Sequence, residues 1–280
     1  MSTKFVACGD SFTVHGQHPS TPKSWVGYLS QSKNWDEINL GEGGASNSYI
    51  FNTAIDAVET YDPDVLVTMW TDPFRINLFD ISNNLLYSVE DLLRWSEMTH
   101  HQKKVSSESK RDLYIEQTGE LTNIIAEILK TKAHDVIDAY LKIVNMSLRE
   151  FWILQQYCKD RYIRFYHCHS IPLVGRYSSL NALLTHFDLP NTKQETMNII
   201  DERVKDLKYY KLLDMSPQWM GYDFAASSYI EQNDWVVDKH NHHPNDYGHQ
   251  QLSKIIEAFI DGGERPNDNG TTKRPVYIYD

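Results

Sequence analysis

Cysteine is scarce in this chain of 280 residues. Cys8, Cys158 and Cys168 are the only three. They are widely scattered and form no CxxC pair, which excludes a disulfide framework. Long apolar runs are missing too, and nothing approaches the roughly 20 residues of a membrane span. Basic charge is in deficit, with 27 Lys and Arg against 38 Asp and Glu and a net charge of −11. A protein that grips phosphate backbones needs a basic stripe, so nucleic acid is excluded as a partner and an anionic membrane surface is disfavoured. A P-loop lysine and a Gly-x-Ser-x-Gly elbow are both absent. The first eight residues lack the apolar stretch of a secretory signal, so the expectation is a cytoplasmic protein.

What is present suits a soluble globular protein, with 41% hydrophobic and 23% charged residues. Residues 4–8 read as a buried strand running into Gly9-Asp10-Ser11. Residues 37–40 read as a second strand, followed by a glycine-rich turn at 41–46. Residues 47–61 have helical spacing, with Ile50, Ala54, Ala57 and Val58 on one face and Asp62-Pro63 as the stop. Residues 65–70 are apolar almost throughout, as a central parallel strand must be. Residues 161–167 predict a fourth strand and 234–237 a fifth. Strands separated by helices make βαβ units and a parallel sheet. Helices are also expected over 85–98, 112–130 and 133–157, with a polar linker at 100–111. The organisation expected is one α/β domain over 1–280. It carries a helical insertion and crossover at about 76–160, a loop-rich insertion at about 171–233 and a tail over 262–280. Residues 276–279 in that tail have the composition of an edge strand suited to homo-oligomer contacts or assembly.

Ser11 sits at the carboxyl end of the first strand, where ligands gather in open α/β sheets. A serine on a tight glycine turn suits a nucleophile whose own N–H faces an oxyanion; equally, Asp10 or Ser11 suits a helix cap. The next two strands end in comparable features, Gly44-Ala45-Ser46-Asn47 and Trp70-Thr71-Asp72-Pro73-Phe74-Arg75. With a strand order of 2-1-3 these turns flank Ser11. Gly44 would then offer a backbone N–H, and Asn47 or Thr71 a side-chain donor. Asp10, Asp72 and Arg75 are candidates for substrate contact, although a surface salt bridge is the commoner fate of such residues. Near the far end, His243 precedes a helix with Leu252, Ile255, Ile256, Phe259 and Ile260 on one face, for which Asn245 or Asp246 is the N-cap. The positive end of that helix favours neutral imidazole, the form a general base needs.

Gly9-Asp10-Ser11-Phe12, Gly44 in its glycine-rich turn, and His243-Pro244-Asn245 followed by Gly248 resemble blocks I, II and V of the SGNH (GDSL-type) hydrolases. The layout also resembles members of that family encoded by tailed phages, which would make the chain virion-associated. The resemblance covers the strand-end motifs and the sheet, about half the chain. It implies Ser11 as nucleophile, His243 as base, the N–H groups of Ser11 and Gly44 at the oxyanion, and acyl-ester hydrolysis without a cofactor. Two positions depart from the pattern. The third block normally ends Gly-x-Asn-Asp, whereas Met69-Trp70-Thr71-Asp72 places Thr71 where an oxyanion donor belongs; losing such a donor costs roughly 2.7–4 kcal/mol. The family's Asp three residues before its His is here His240. Asp238 is nearby, two residues out of register, and either it or a backbone carbonyl would orient His243.

Other readings compete. Asp238, His240, His242 and His243 form a metal-like cluster suited to zinc or iron. Gly41-x-Gly43-x-x-Ser46 half-matches a dinucleotide fingerprint but lacks its last glycine. The rival of a different class is a non-catalytic or weakly active module that binds a glycan or serves a structural assembly, motivated by Thr71, His240 and an aromatic content of 12%. The expectation adopted is a three-layer α/β/α, flavodoxin-like parallel sheet of five strands. It would act on a small acyl ester or an acylated glycan, with Ser11, His243 and Asp238 as catalytic residues.

Overall fold

Alternation along the strands divides the core into two halves. In β1 (Lys4–Gly9), Val6 and Cys8 face one hydrophobic cluster, while Phe5 and Ala7 face another. A period of two is what a strand covered on both faces requires. The structure, a computed structural model, describes residues 2–73, 75, 77–79, 85–88, 136–174, 192–222, 224–239, 241–262 and 266. β2 (Asp36–Gly41) and β3 (Val65–Trp70) flank β1, and β6 (Arg164–His169) lies beyond β3. The order is β2-β1-β3-β6 with every pairing parallel. The 2-1-3 order expected from the sequence is therefore present.

Helix α1 (Trp25–Lys33) and helix α7 (Asp246–Gly262) cover one face of the sheet. Their Trp25, Val26, Leu29, Leu252, Ile256 and Phe259 pack with Phe5, Ala7, Val65, Val67 and Met69. Helix α2 (Asn47–Tyr61) and helix α3 (Val136–Asp160) cover the other. In α2 the buried face is Ile50, Ala54, Ala57 and Val58, as the spacing predicts, and Ser46 caps it by accepting the Tyr49 N–H at 3.1 Å. Three short or medium helices follow β6: α4 (Lys193–Lys205), α5 (Lys208–Asp214) and α6 (Ala226–Gln232). Among the described residues no helix is long and apolar enough to cross a membrane.

Four expectations change. The main sheet has four strands among the described residues, not five. The candidate fifth instead becomes β7 (Val236–Asp238), paired antiparallel with β8 (Asn241–Pro244) in a separate hairpin. Beyond β6 the described residues make two isolated parallel bridges, His167 to Trp219 and His169 to Ala225, with Gly221 at φ 101° between them. The fourth strand starts at Arg164 because the preceding residues close α3, with the Ile163 N–H on the Cys158 carbonyl at 3.0 Å. Leu85–Ser88, expected to open a helix, is strand β5, antiparallel to β4 (Asn77–Phe79). The expected linker at 100–111, the helix at 112–130 and the edge strand at 276–279 lie outside the described residues.

Three of the described histidines are buried in this frame, and each accepts a hydrogen bond from an N–H that can only donate. His167 Nδ1 accepts from Trp70 Nε1 at 3.2 Å, His169 Nε2 from Trp219 Nε1 at 3.1 Å, and His249 Nδ1 from the Trp25 backbone at 3.2 Å. All three are therefore neutral. Burial pushes His169 down to about 3 and His249 down to about 4, and holds His167 well below the ordinary range. The unfolded chain takes up these protons first, near the ordinary histidine value of about 6.5, so the stability they represent is present above that pH and lost as pH falls towards the folded values. The thermal midpoint should be level above about pH 7 and decline steadily below about 6.5. A midpoint constant down to about pH 4 would contradict neutral burial.

Candidate active site

The chain leaves β1 towards β2 on one side and, from β3, towards β6 on the other, so the sheet reverses direction between β1 and β3. Open α/β sheets form their crevice at such a point. Asp10 and Ser11 follow β1 there. Asp10 sets the turn twice, with its carbonyl accepting the Thr13 N–H at 2.8 Å and its Oδ1 the Phe12 N–H at 3.1 Å. No hydrogen bond to the intervening Ser11 N–H is formed among the described residues. After β2, the Ala45 N–H reaches the Glu42 carbonyl at 3.2 Å across a turn in which Gly44 has φ 78°. Glycine fits that third turn position because a side chain in left-handed backbone costs about 1–2 kcal/mol. A Cβ there would meet nothing within 4 Å, so Gly44 faces open space.

His243 is delivered from the other end of the chain by β8. Asn245 ends the hairpin and caps α7, with its Oδ1 accepting the Gly248 N–H at 2.8 Å and its Nδ2 donating to the Val236 carbonyl at 3.1 Å. Gly248 is required because a Cβ would lie 2.6 Å from the Trp235 carbonyl oxygen. This clamp brings His243 Nε2 to 2.9 Å from Ser11 Oγ, across 232 residues of sequence. The Phe12 ring lies tilted against the imidazole at 5.5 Å between centroids.

The imidazole is oriented by Asn241, a residue the sequence reading passed over. Asn241 Oδ1 lies 2.7 Å from His243 Nδ1 and also accepts the His243 backbone N–H at 3.2 Å. A backbone N–H only donates, so the oxygen of the carboxamide must be the atom that faces His243. Nδ1 therefore carries the ring proton, and Nε2 presents a lone pair to the Ser11 hydroxyl. Residues 241 and 243 lie two apart on a strand and share a face; that spacing was the available signal. Asp238 does not orient His243. It is exposed, and its Oδ1 accepts the Asn241 N–H at 3.0 Å, closing the hairpin turn. Burial lowers the His243 pKa, opposed by the Asp10 carboxylate and assisted by Arg75 and His242.

Asp10 is fully buried and is a hub, not a substrate contact. Its Oδ2 accepts from Thr71 Oγ1 at 2.8 Å, Ser170 Oγ at 2.7 Å and Arg75 Nη1 at 3.1 Å. Thr71 has one hydroxyl proton, and in this arrangement it is committed to Asp10 and not to an oxyanion. Asn47 is likewise occupied: its Oδ1 accepts the Thr71 N–H at 2.8 Å, and its Nδ2 donates to the Thr71 carbonyl at 3.0 Å. It staples the start of α2 to the end of β3. Asp72 is fully buried, which removes it from the crevice edge, and Arg75 keeps 17% of its side chain exposed beside Asp10. The proposed metal cluster is divided by strand alternation. His243 faces Ser11, whereas His242 Nδ1 turns to Glu231 at 2.7 Å. His240 lies outside the described residues, and no metal-binding cluster occurs among those described.

No family model matches the sequence. No curated protein matches it at a significant level. Several solved structures are similar in outline. One is a protein assigned to the G-D-S-L lipolytic family from Desulfitobacterium hafniense DCB-2, 12% identical, with 92% of this chain and 99% of that chain covered and a TM-score of 0.47. Another is the acetyl xylan esterase AlAXEase, at 13% identity, 91% and 98% coverage and a TM-score of 0.43. A third is a member of the lipolytic G-D-S-L family from Veillonella parvula DSM 2008, at 13%, 92% and 98%, with a TM-score of 0.40. Likenesses this distant leave the functional reading to the geometry of the site.

Removing one partner of a buried, hydrogen-bonded ion pair typically costs about 3–5 kcal/mol, because the other charge is left uncompensated. Asp10→Ala should therefore lower unfolding free energy by about 3 kcal/mol in chemical denaturation, because the Arg75 guanidinium and the Thr71 and Ser170 hydroxyls lose their shared acceptor. A loss within about 0.5 kcal/mol, the size of an ordinary surface change, would remove Asp10 from its place as the hub.

Proposed function

We propose that the chain is a serine hydrolase of acyl esters, with Ser11 as nucleophile and His243 as general base positioned by Asn241. The observation that carries this reading is the continuous relay from Asn241 Oδ1 to His243 Nδ1 and from His243 Nε2 to Ser11 Oγ, at 2.7 and 2.9 Å. In the first half-reaction, the Ser11 proton passes to Nε2 while Oγ bonds to the ester carbonyl carbon. The N–H groups of Ser11 and Gly44 receive the developing oxyanion, as the family resemblance implies. The imidazolium then returns its proton to the departing alkoxide, leaving an acyl-serine. Water attacks that ester with the same base and regenerates Ser11.

A carboxamide in the third position fixes the tautomer but supplies no charge for the imidazolium. Asp10 supplies part of that deficit, since its carboxylate already favours the protonated ring from within the same site. The substrate class proposed is a small acyl ester, including acetyl groups on a carbohydrate. Esterase and lipolytic activities are named for the similar folds, and they agree with this chemistry.

A fluorophosphonate probe should label the wild-type protein on Ser11. Ser11→Ala should abolish labelling, and His243→Ala should slow it by about 10²–10⁴-fold, the usual worth of a positioned base. A folded wild type that does not react would overturn the assignment. Asn241→Ala should lower kcat more than it changes KM, and Asn241→Asp, which keeps the acceptor, should restore most of the loss. Since burial depresses the His243 pKa, the acid limb of kcat/KM against pH should have its midpoint below 6.5, the ordinary value. A midpoint above that value would contradict the desolvated base.

A further inference from the structure

We infer that the groove at the outer edge of the sheet, remote from Ser11, is a saccharide-binding site. It lies between the end of α3, the first half of β6 and the segment that follows α5, with a volume of about 600 Å³. That is within the range of about 300–1,000 Å³ usual for ligand sites. It lies beside the amino end of β6, whereas Ser170, just past the carboxyl end, touches Asp10 in the candidate active site. A strand advances about 3.3 Å per residue, so the two regions are separated by roughly the length of β6.

Tyr162 stands at the lip of the groove with 95% of its surface exposed and φ 61°. This is the left-handed position that ends a helix, where glycine is the favoured residue and a tyrosine is strained. The chain thus accepts a backbone cost to hold an aromatic ring in water. Trp152, from α3, lines the same groove and gives it further aromatic surface, whereas the Tyr166 ring packs against Phe259 on the opposite face of the sheet. Aromatic faces suit the C–H faces of sugar rings, while their polar edges leave ring hydroxyls to hydrogen-bonding groups.

The floor supplies such a group. Gln155 is only 8% exposed, and its Oε1 accepts from His167 Nε2 at 3.1 Å. That direction is fixed, because His167 Nδ1 is already taken by the Trp70 indole N–H and the neutral ring must donate from Nε2. Gln155 therefore turns its oxygen inward and keeps its two amide hydrogens for a ligand, since no protein acceptor meets them among the described residues. Gln156 and Gln218 add further amides, Lys159 and Arg164 are charged residues of the lining, and among the described residues no carboxylate lines the groove. Planar amides beside aromatic platforms, without acidic groups, select a neutral or acidic sugar chain over a cationic ligand.

The test uses the full chain carrying Ser11→Ala, so that no turnover interferes, with cellohexaose, xylohexaose and hexagalacturonate titrated by calorimetry. At least one should bind at millimolar or lower concentration, and Tyr162→Gly should weaken it at least tenfold. The same substitution relieves the left-handed strain, so the thermal midpoint should rise by about 2 °C as binding is lost. Trp152→Ala should weaken binding independently, and fluorophosphonate blocking of Ser11 in the wild type should leave it unchanged. Absence of binding by all three sugars would overturn the proposal, as would binding unaffected by both substitutions or abolished by blocking Ser11. The titrations with Ser11→Ala, Tyr162→Gly and Trp152→Ala do not depend on whether Ser11 is a working nucleophile; only the blocking arm does.

Discussion

A single buried carboxylate holds the crevice together. Asp10 follows β1, Thr71 and Arg75 follow β3, and Ser170 follows β6, and the last three donate to one oxygen of the first. Three adjacent parallel strands thus end on a shared acceptor. Parallel strands have no hairpins to fix their carboxyl ends, so the turns beyond them need another constraint. Here it is a charge in a dry environment, satisfied by donors that belong to separate crossovers. The other carboxylate oxygen shapes the turn that presents Ser11, which couples the position of the hydroxyl to the assembly of the sheet.

The imidazole reaches that hydroxyl by a different route. The β7–β8 hairpin and the cap of α7 form one clamp around Asn245, and His243 sits just before it. Asn241 then decides which ring nitrogen holds the proton. The orientation follows from one oxygen serving both a backbone N–H and a ring N–H, an arrangement a flipped carboxamide could not make. Asn241 thus sets the geometry of the imidazole, while the charge of the nearby buried Asp10 acts on the ring against that of its partner Arg75.

Legibility varied with how local the signal was. The α2 face, β3 and a helix cap at Asn245 or Asp246 depend on nearby residues and are legible in the sequence, and the structure places the cap at Asn245. The Ser11 and His243 pair was readable through the resemblance of their motifs to the SGNH blocks, since strand-end or helix-start position alone fits a cap or a surface histidine equally well. Donor assignments were not. Thr71 and Asn47 have the right atoms for an oxyanion, but those atoms are taken by Asp10 and by the β3 backbone. Asp238 is the aspartate nearest the position the resemblance implies, whereas period-two geometry in β8 places Asn241 against His243. The fifth strand failed because residues 234–238 find a closer partner in 241–244 than in the distant edge of β6.

The sequence by itself determined the layers, the order of the central strands and the two residues that meet across the crevice. The layers and strand order follow from periodicity, capping and the positions of turns, which are properties of short segments, while the meeting of Ser11 and His243 is what the family resemblance implies. Tertiary structure alone decided which hydroxyls and amides are spent on Asp10, which nitrogen of His243 is bare, and that Gln155 turns its oxygen away from the groove it lines. Hydrogen-bond donors and acceptors are allotted by proximity after folding. A buried group takes whichever partner the packed chain places within about 3 Å, and no local pattern in the sequence encodes that choice.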